Sequence, residues 1–279
     1  MPRQHPVHPT QAPGTFTVRP AGEARALLAA LRTRGVSARN LAAVRLVAID
    51  PGSAPLAAAT AADRWLFTSP AAVRFLLQVA RNAAPDLFAA TGPLARLAAQ
   101  GRVFAPGPGT VRALARAGVV GARHPLSSHD SEGLLGLPAL APTLTGILAL
   151  VGAPEGRGVL APALAARGAA VTELMVYRRQ QSVPAAAALR DLAASPEPLL
   201  VASSAALLQA LWLALPAGLR EHLRRSGRLV AASPRIAAAA TSLGLSVVAI
   251  AGSATPTALA LATAGVLSQH SGPDSPDRR

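Results

Sequence analysis

The chain has 279 residues, a formal charge of +14 and a hydrophobic share of 51%, enough apolar material for the cores of two ordinary domains. It contains neither cysteine nor lysine, which excludes disulfides, thiolate nucleophiles, Cys-ligated metals, Schiff-base chemistry and a P-loop lysine. Its 27 basic side chains are therefore all arginine, whose planar forks match carboxylates and phosphates, so an anionic ligand is indicated.

A first strand is predicted over 15–18, followed by a helix over 22–34 with Leu27, Leu28 and Leu31 on one face and Gly35 as its stop. Residues 44–49 form a second strand, ended by Asp50-Pro51-Gly52. A short buried strand over 65–67 follows. Thr68 or Ser69 then caps a helix, with Pro70 at the first helical position, where its missing N–H costs nothing. A strand over 103–105 leads through Pro106-Gly107-Pro108-Gly109 into a helix from Thr110. Asp130-Ser131-Glu132-Gly133 has the form of a helix start with acidic residues in its first turn. Strands follow over 147–151, with a helix ending near Gly168, and over 171–177. Three more, over 199–202, 229–231 and 247–250, each precede a helical stretch.

Strands alternating with helical patterns mark parallel sheets covered by helices. Three of these strand–turn–helix units occur twice. Leu66-Phe67-Thr68-Ser69 is echoed by Leu200-Val201-Ala202-Ser203. Arg102-Val103-Phe104, running to Gly118, is echoed by Arg228-Leu229-Val230, running to Gly244. Val18-Arg19-Pro20, reaching Gly35, is echoed by Val151-Gly152-Ala153, reaching Gly168. Duplication of this kind predicts two similar α/β domains with a cleft between them where a ligand sits.

Residues 1–14 and 269–279 lack a periodic apolar pattern and are read as disordered tails. The start has no apolar core of a signal peptide, which places the chain in the cytoplasm. Two stretches without charge, 198–219 and 236–269, are interrupted by Ser, Thr, Gly or Pro at turn-like positions, so neither is read as a membrane span. Nucleic acid is the rival partner for so basic a chain. Aromatics are only 3%, and no arginine run exceeds two, so stacking platforms and a basic stripe are both lacking.

The strand-to-helix turns hold the chemistry. A helix start exposes unpaired N–H groups and the positive end of the macrodipole, and the carboxyl edge of a parallel sheet collects several such starts. Ser and Thr at these turns either cap the helix or bind a ligand oxygen. Gly107-Pro108-Gly109 admits close backbone approach but lacks a dinucleotide fingerprint. Tyr177, the single tyrosine, stands between Val176 and Arg178-Arg179, a cationic setting that favours negative charge on its oxygen. The other reading of Tyr177 is a ring packed on a strand with its hydroxyl in water. The histidines show no metal-ligand spacing, and no nucleophile elbow is present.

In that order, Arg19-Pro20, Phe67-Thr68-Ser69-Pro70, Gly107-Pro108-Gly109-Thr110, Asp130-Ser131-Glu132-Gly133-Leu134, Gly168-Ala169-Ala170-Val171, Val176-Tyr177-Arg178-Arg179, Ser203-Ser204-Ala205-Ala206 and Pro234-Arg235-Ile236-Ala237 resemble the uroporphyrinogen-III synthase family over about residues 15–265. The chain departs from the family at Val18, where Thr is usual, and in a thin glycine stretch at Gly152, Gly156 and Gly158. The resemblance implies two α/β domains joined by a two-strand ladder. The first would hold 15–38 and 180–268, the second 52–168, with linker strands over 39–51 and 169–179.

It further implies a lyase without metal or organic cofactor that closes hydroxymethylbilane, a linear polycarboxylate tetrapyrrole, with inversion of the last pyrrole ring and loss of water. Tyr177 matches the family's tyrosine that assists loss of hydroxyl as general acid. Arg19, Thr68, Ser69, Gly107, Gly109, Thr110, Ser131, Ser203, Ser204 and Arg235 fall on or beside positions that bind the substrate. A monomer is implied, in transient contact with the upstream deaminase and with neither nucleic acid nor membrane. Two readings stand beside this one: a non-catalytic two-domain binder of an anionic small molecule, and a basic nucleic-acid-binding protein.

Overall fold

Strands whose residues are apolar on both faces belong in the middle of a parallel sheet, and strands that alternate belong at its edge. The computed structural model, which describes residues 14–126, 131–155 and 158–270, sorts the strands in this way. Its contacts divide the chain into two units, one of residues 1–45 and 180–279 and one of residues 46–179.

The first unit carries a five-stranded sheet. Its strands are β1 (Thr15–Val18), β2 (Ala38–Asn40), β9 (Leu199–Ala202), β10 (Arg228–Ala231) and β11 (Ser246–Ile250), in the order β11-β10-β9-β1-β2 and all parallel. All four residues of central β1 and of central β9 are buried, whereas edge strand β11 alternates between exposed and half-buried. Helices α1 (Arg25–Arg32), α8 (Ala186–Ala194), α9 (Ala205–Ala214), α10 (Ala217–Ser226), α11 (Pro234–Ser242) and α12 (Pro256–His270) belong to this unit. Leu27 and Leu31 of α1 and Leu208 and Leu211 of α9 join Phe16, Leu200 and Val230 in one core. Among the described residues no helix is long and apolar enough to cross a membrane.

The second unit carries a four-stranded parallel sheet of β4 (Arg64–Phe67), β5 (Val103–Phe104), β6 (Ile147–Gly152) and β7 (Ala170–Met175), ordered β5-β4-β6-β7. Side chains alternate across a strand, so Trp65 and Phe67 enter a core on one face while Leu66 enters a second core on the other. The first core is covered by α2 (Ser53–Thr60), α3 (Pro70–Ala83), α4 (Pro93–Ala99) and α5 (Pro108–Arg116), and the second takes in α6 (Ser131–Leu135) and α7 (Leu160–Ala166).

The two sheets have one wiring. β10-β9-β1-β2 corresponds to β5-β4-β6-β7 strand for strand. The place of β11 is taken in the second unit by Arg123 alone, which bridges Phe104 in parallel. Two of the three echoes hold residue for residue. Gly35 and Gly168 both end their turns with positive φ, as do Gly118 and Gly244. The third echo is shifted. The ladders set Phe67 level with Val151 and Ala202 level with Val18, so Ala202 and not Val201 is the counterpart of Phe67. A one-residue slip turns every side chain to the opposite face, so the buried faces decide this register. Ser204, rather than Ser203, therefore stands where Ser69 stands.

The strand expected over 171–177 is two strands. β7 ends at Met175, and β8 (Tyr177–Gln181) pairs with β3 (Val44–Ala48) in a separate two-stranded sheet. Val176 is the switch: its N–H donates to Gly152 O, and its carbonyl accepts from the Ile49 N–H. At the other end of the ladder the Ser182 N–H donates to Ala43 O, which makes the pair antiparallel. Of the segments expected as linker strands, Ala38–Asn40 and Ala170–Met175 are instead edge strands of the two main sheets.

The tails expected at 1–14 and 269–279 lie, for residues 1–13 and 271–279, outside the described residues. Gly14 is tied down, its N–H on Ser195 Oγ and its carbonyl on the Leu199 N–H, and α12 runs to His270.

The paired glycines give a direct test. At Gly168 (φ +101°) an added Cβ would meet Leu144 O at 2.4 Å, whereas at Gly35 (φ +73°) it would meet nothing within 4 Å. Gly35→Ala is expected to cost about 1 kcal/mol from the backbone alone, and Gly168→Ala about 3 kcal/mol because overpacking adds to it. Urea midpoints of the two variants measure the difference.

Candidate active site

In a parallel sheet all strands end at one edge, and each following helix begins there. In the second unit that edge carries the β4–α3, β5–α5 and β6–α7 turns and the end of β7, where the chain passes through Val176 into Tyr177.

Ser69 is the N-cap of α3, with its side chain accepting from the Ala72 N–H at 3.0 Å and Pro70 at the first helical position. Its Oγ also lies 3.0 Å from the Tyr177 hydroxyl. The Tyr177 ring is only 2% exposed and stacks on Phe75, with centroids 5.3 Å apart and planes 14° apart. The ring is packed, as one sequence reading expects, but its hydroxyl is bonded to Ser69 and not left to water. Thr68 has a different use. Its Oγ1 donates to Val151 O at 3.0 Å, alongside its own backbone N–H, and ties the β4–α3 turn to β6. Gly152 admits this clip, because a Cβ there would come within 2.8 Å of Thr68 Oγ1.

The β5–α5 turn adjoins the same place. A Cβ added at Gly109 would touch only Pro70 Cγ, at 3.9 Å, so α3 and α5 start side by side. Gly107, the N-cap of α5, has φ −177°, an extended conformation open to any residue. Gly109 is not demanded by a protein neighbour, and, being exposed, it leaves open space over the helix start. Thr110 is 3% exposed, and among the described residues its hydroxyl makes no hydrogen bond. Ser69, Tyr177, Gly109 and Thr110 thus form one locality. Ser131 does not join it through any contact; it opens the five-residue helix α6, whose Leu134 enters the opposite core. Asp130 lies outside the described residues.

In the first unit the corresponding edge is richer in cation. Arg19 follows β1. Its guanidinium donates to Ala254 O at 3.2 Å, and its Nε is buried with no partner. Burial lowers the guanidinium from its ordinary value, with the carboxylate of Glu23 pulling the other way. The Arg19 backbone is gripped by Asn40, whose Oδ1 accepts from the Arg19 N–H and the Thr17 hydroxyl while Nδ2 donates to Arg19 O. Ser204 caps α9 by accepting from the Leu207 N–H, and half-buried Ser203 precedes it. Arg235 is exposed in the first turn of α11, behind Pro234 and the N-cap Ser233.

Sequence reasoning missed three contributors. Asn40 sits on a strand too short to show a pattern. The β11–α12 turn closes with Ser253 and Thr255, whose hydroxyls lie 2.9 Å apart, and Thr255 caps α12 before Pro256. Its Thr-Pro signal is the counterpart of Ser69-Pro70 in the β4–α3 turn and was there to be read. Glu155, after β6, accepts the Arg179 N–H at 3.2 Å, while its carbonyl accepts from the Arg179 guanidinium; nothing local in the sequence announces that pairing. Among the described residues no group of three or more His, Asp or Glu side chains is placed to hold a metal ion.

A family model described as "Uroporphyrinogen-III synthase HemD" matches residues 17–260. Among solved structures, a triple-mutant uroporphyrinogen III synthase from the extremely thermophilic bacterium Thermus thermophilus aligns with a TM-score of 0.59 at 23% identity, covering 92% of this chain and 99% of that one. A uroporphyrinogen-III synthetase from Helicobacter pylori aligns with a TM-score of 0.58 at 14% identity, covering 91% and 99%. At these identities the two structures speak for the fold. No curated protein matches the chain. The family match spans every turn described above and nearly all of both sheets, and on it the chain belongs to the uroporphyrinogen-III synthase family.

Proposed function

We propose that the chain carries out its family's reaction by electrostatic positioning of a polyanion, with Tyr177 as the proton donor. Membership makes it a lyase of tetrapyrrole biosynthesis that closes hydroxymethylbilane with inversion of the last pyrrole ring and loss of water. The family match over residues 17–260 is the observation that carries the reading. No specific observation favours a binder without chemistry or a nucleic-acid-binding protein.

The substrate already contains its driving force. An electron-rich pyrrole expels a hydroxyl from its own methylene carbon with modest acid help. The resulting cation then closes on whichever carbon lies nearest, so the conformation in which the chain is held selects the isomer. Holding reacting atoms in place is worth several powers of ten in effective concentration. The substrate's carboxylates supply the handles. Helix starts at α3 and α5 in one unit, and at α9 and α11 in the other, offer unpaired amides and positive dipole ends. Arg19 adds a permanently charged fork at the first unit's edge, and Arg235 a second at the start of α11. Thr110, whose hydroxyl makes no hydrogen bond among the described residues, can offer it to a carboxylate oxygen. Thr68, whose proton is committed to Val151 O, serves the turn and not the ligand. We further propose that the enzyme acts as a monomer and receives its labile substrate from the upstream deaminase.

Three measurements test the reading. Purified protein given freshly prepared hydroxymethylbilane is expected to yield the inverted isomer; only the symmetric isomer at the spontaneous rate would reject the function. Tyr177→Phe should keep the melting temperature and lower kcat about a hundredfold, the lower range for loss of a general acid. Arg19→Ala should raise KM about tenfold with a smaller change in kcat, the signature of lost uniform binding, read from steady-state kinetics.

A further inference from the structure

We infer that Ser69 is the positioning residue that turns the Tyr177 proton toward the substrate. The inference rests on the reading of Tyr177 as proton donor. A serine hydroxyl has one proton and two lone pairs. One lone pair of Ser69 takes the Ala72 N–H at 3.0 Å. The Tyr177 oxygen lies 3.0 Å away, and either atom of that pair has a proton to give. If tyrosine donates, its proton points inward at Ser69 and is unavailable for chemistry. If serine donates, the phenol O–H is not spent on Ser69 and can be given to a bound substrate. Only the second arrangement permits acid catalysis.

Two features favour the second. The Phe75 stack fixes the ring, so the phenol oxygen stays within reach of Ser69. The N–H of Ala72, at the positive start of α3, draws charge from Ser69 Oγ and strengthens its O–H as a donor. Once Tyr177 has given up its proton, the same O–H bonds a phenolate, and a hydrogen bond to an anion is the stronger kind. The step balances within enzyme and substrate. The substrate's C–O bond breaks, its oxygen leaves as water with the tyrosine proton, and a pyrrole-stabilised cation remains. Inversion then forms two carbon–carbon bonds and breaks the old link to the last ring, and loss of the proton from the closing ring carbon restores the phenol.

Ser69 therefore has two duties, a helix cap and a proton orienter, and substitutions separate them. Ser69→Asp is a good cap but has no proton to donate when ionised, Ser69→Thr keeps both duties, and Ser69→Ala loses both. Steady-state kinetics, with kcat and KM separated, and thermal melts are run on all three, with Tyr177→Phe as reference. Ser69→Asp is expected to melt within a few degrees of the parent while kcat falls about tenfold or more. Ser69→Thr should stay within about threefold of parent kcat. Ser69→Ala should fall as far in kcat as Ser69→Asp, with KM little changed, and melt a few degrees lower because the cap is lost. If Ser69 only binds a carboxylate, KM rises while kcat is kept, which overturns the inference; parent kcat in Ser69→Asp overturns it too. Unchanged turnover in Tyr177→Phe would instead remove the proton-donor reading itself, and the two failures are thereby told apart.

Discussion

Everything functional in this chain depends on the polarity of its parallel sheets. Because strands run one way, helix starts accumulate at one edge, and their unpaired amides and dipoles add to one sign of charge. The effect needs no special side chain, which suits a sequence without lysine or cysteine. Serine, threonine and glycine at the turns refine it. Ser69, Ser204 and Thr255 close the caps of α3, α9 and α12, while Gly109 keeps the start of α5 unobstructed.

Duplication doubles the edge without copying its detail. Both sheets have the same strand order, yet the equivalent turns have diverged in what they offer. After β1 the chain places Arg19, with its backbone clamped by Asn40. At the matching position, the last of β6, it places Gly152, which makes room for the Thr68 clip. One unit therefore presents a cation, the other a phenol with a serine behind it. On the proposed reading, charge serves the polyanion, and the phenol, hydrogen-bonded to Ser69, serves as its acid.

Much of the architecture was legible because it follows from local rules. Buried strands such as 15–18 and 199–202 are short apolar runs bounded by turn residues, and Gly35, Gly118, Gly168 and Gly244 mark helix ends that need positive φ. Pro70 and the preceding serine announced α3. Less was legible where neighbours decide. Val171 to Tyr177 alternates without interruption, and only the partners on either side of Val176 reveal that it leaves one sheet for another. Ser53–Thr60 is too uniformly small and apolar to show a helical face, so α2 went unassigned.

The sequence by itself determined the chemistry that this protein cannot do, the α/β class, the doubled units and the residues at their turns, because composition and apolar period act within a few residues of each position. Tertiary structure decided which of those residues are at work. Ser203 and Ser204 are indistinguishable in the chain, and the ladder of β9 with β1 selects Ser204 as the cap. Ser69 and Tyr177 are 108 positions apart, and only β8 breaking away from β7 brings one hydroxyl to the other. Hydrogen bonds of that reach depend on register and on packing across a whole sheet, and neither is written in any short stretch of residues.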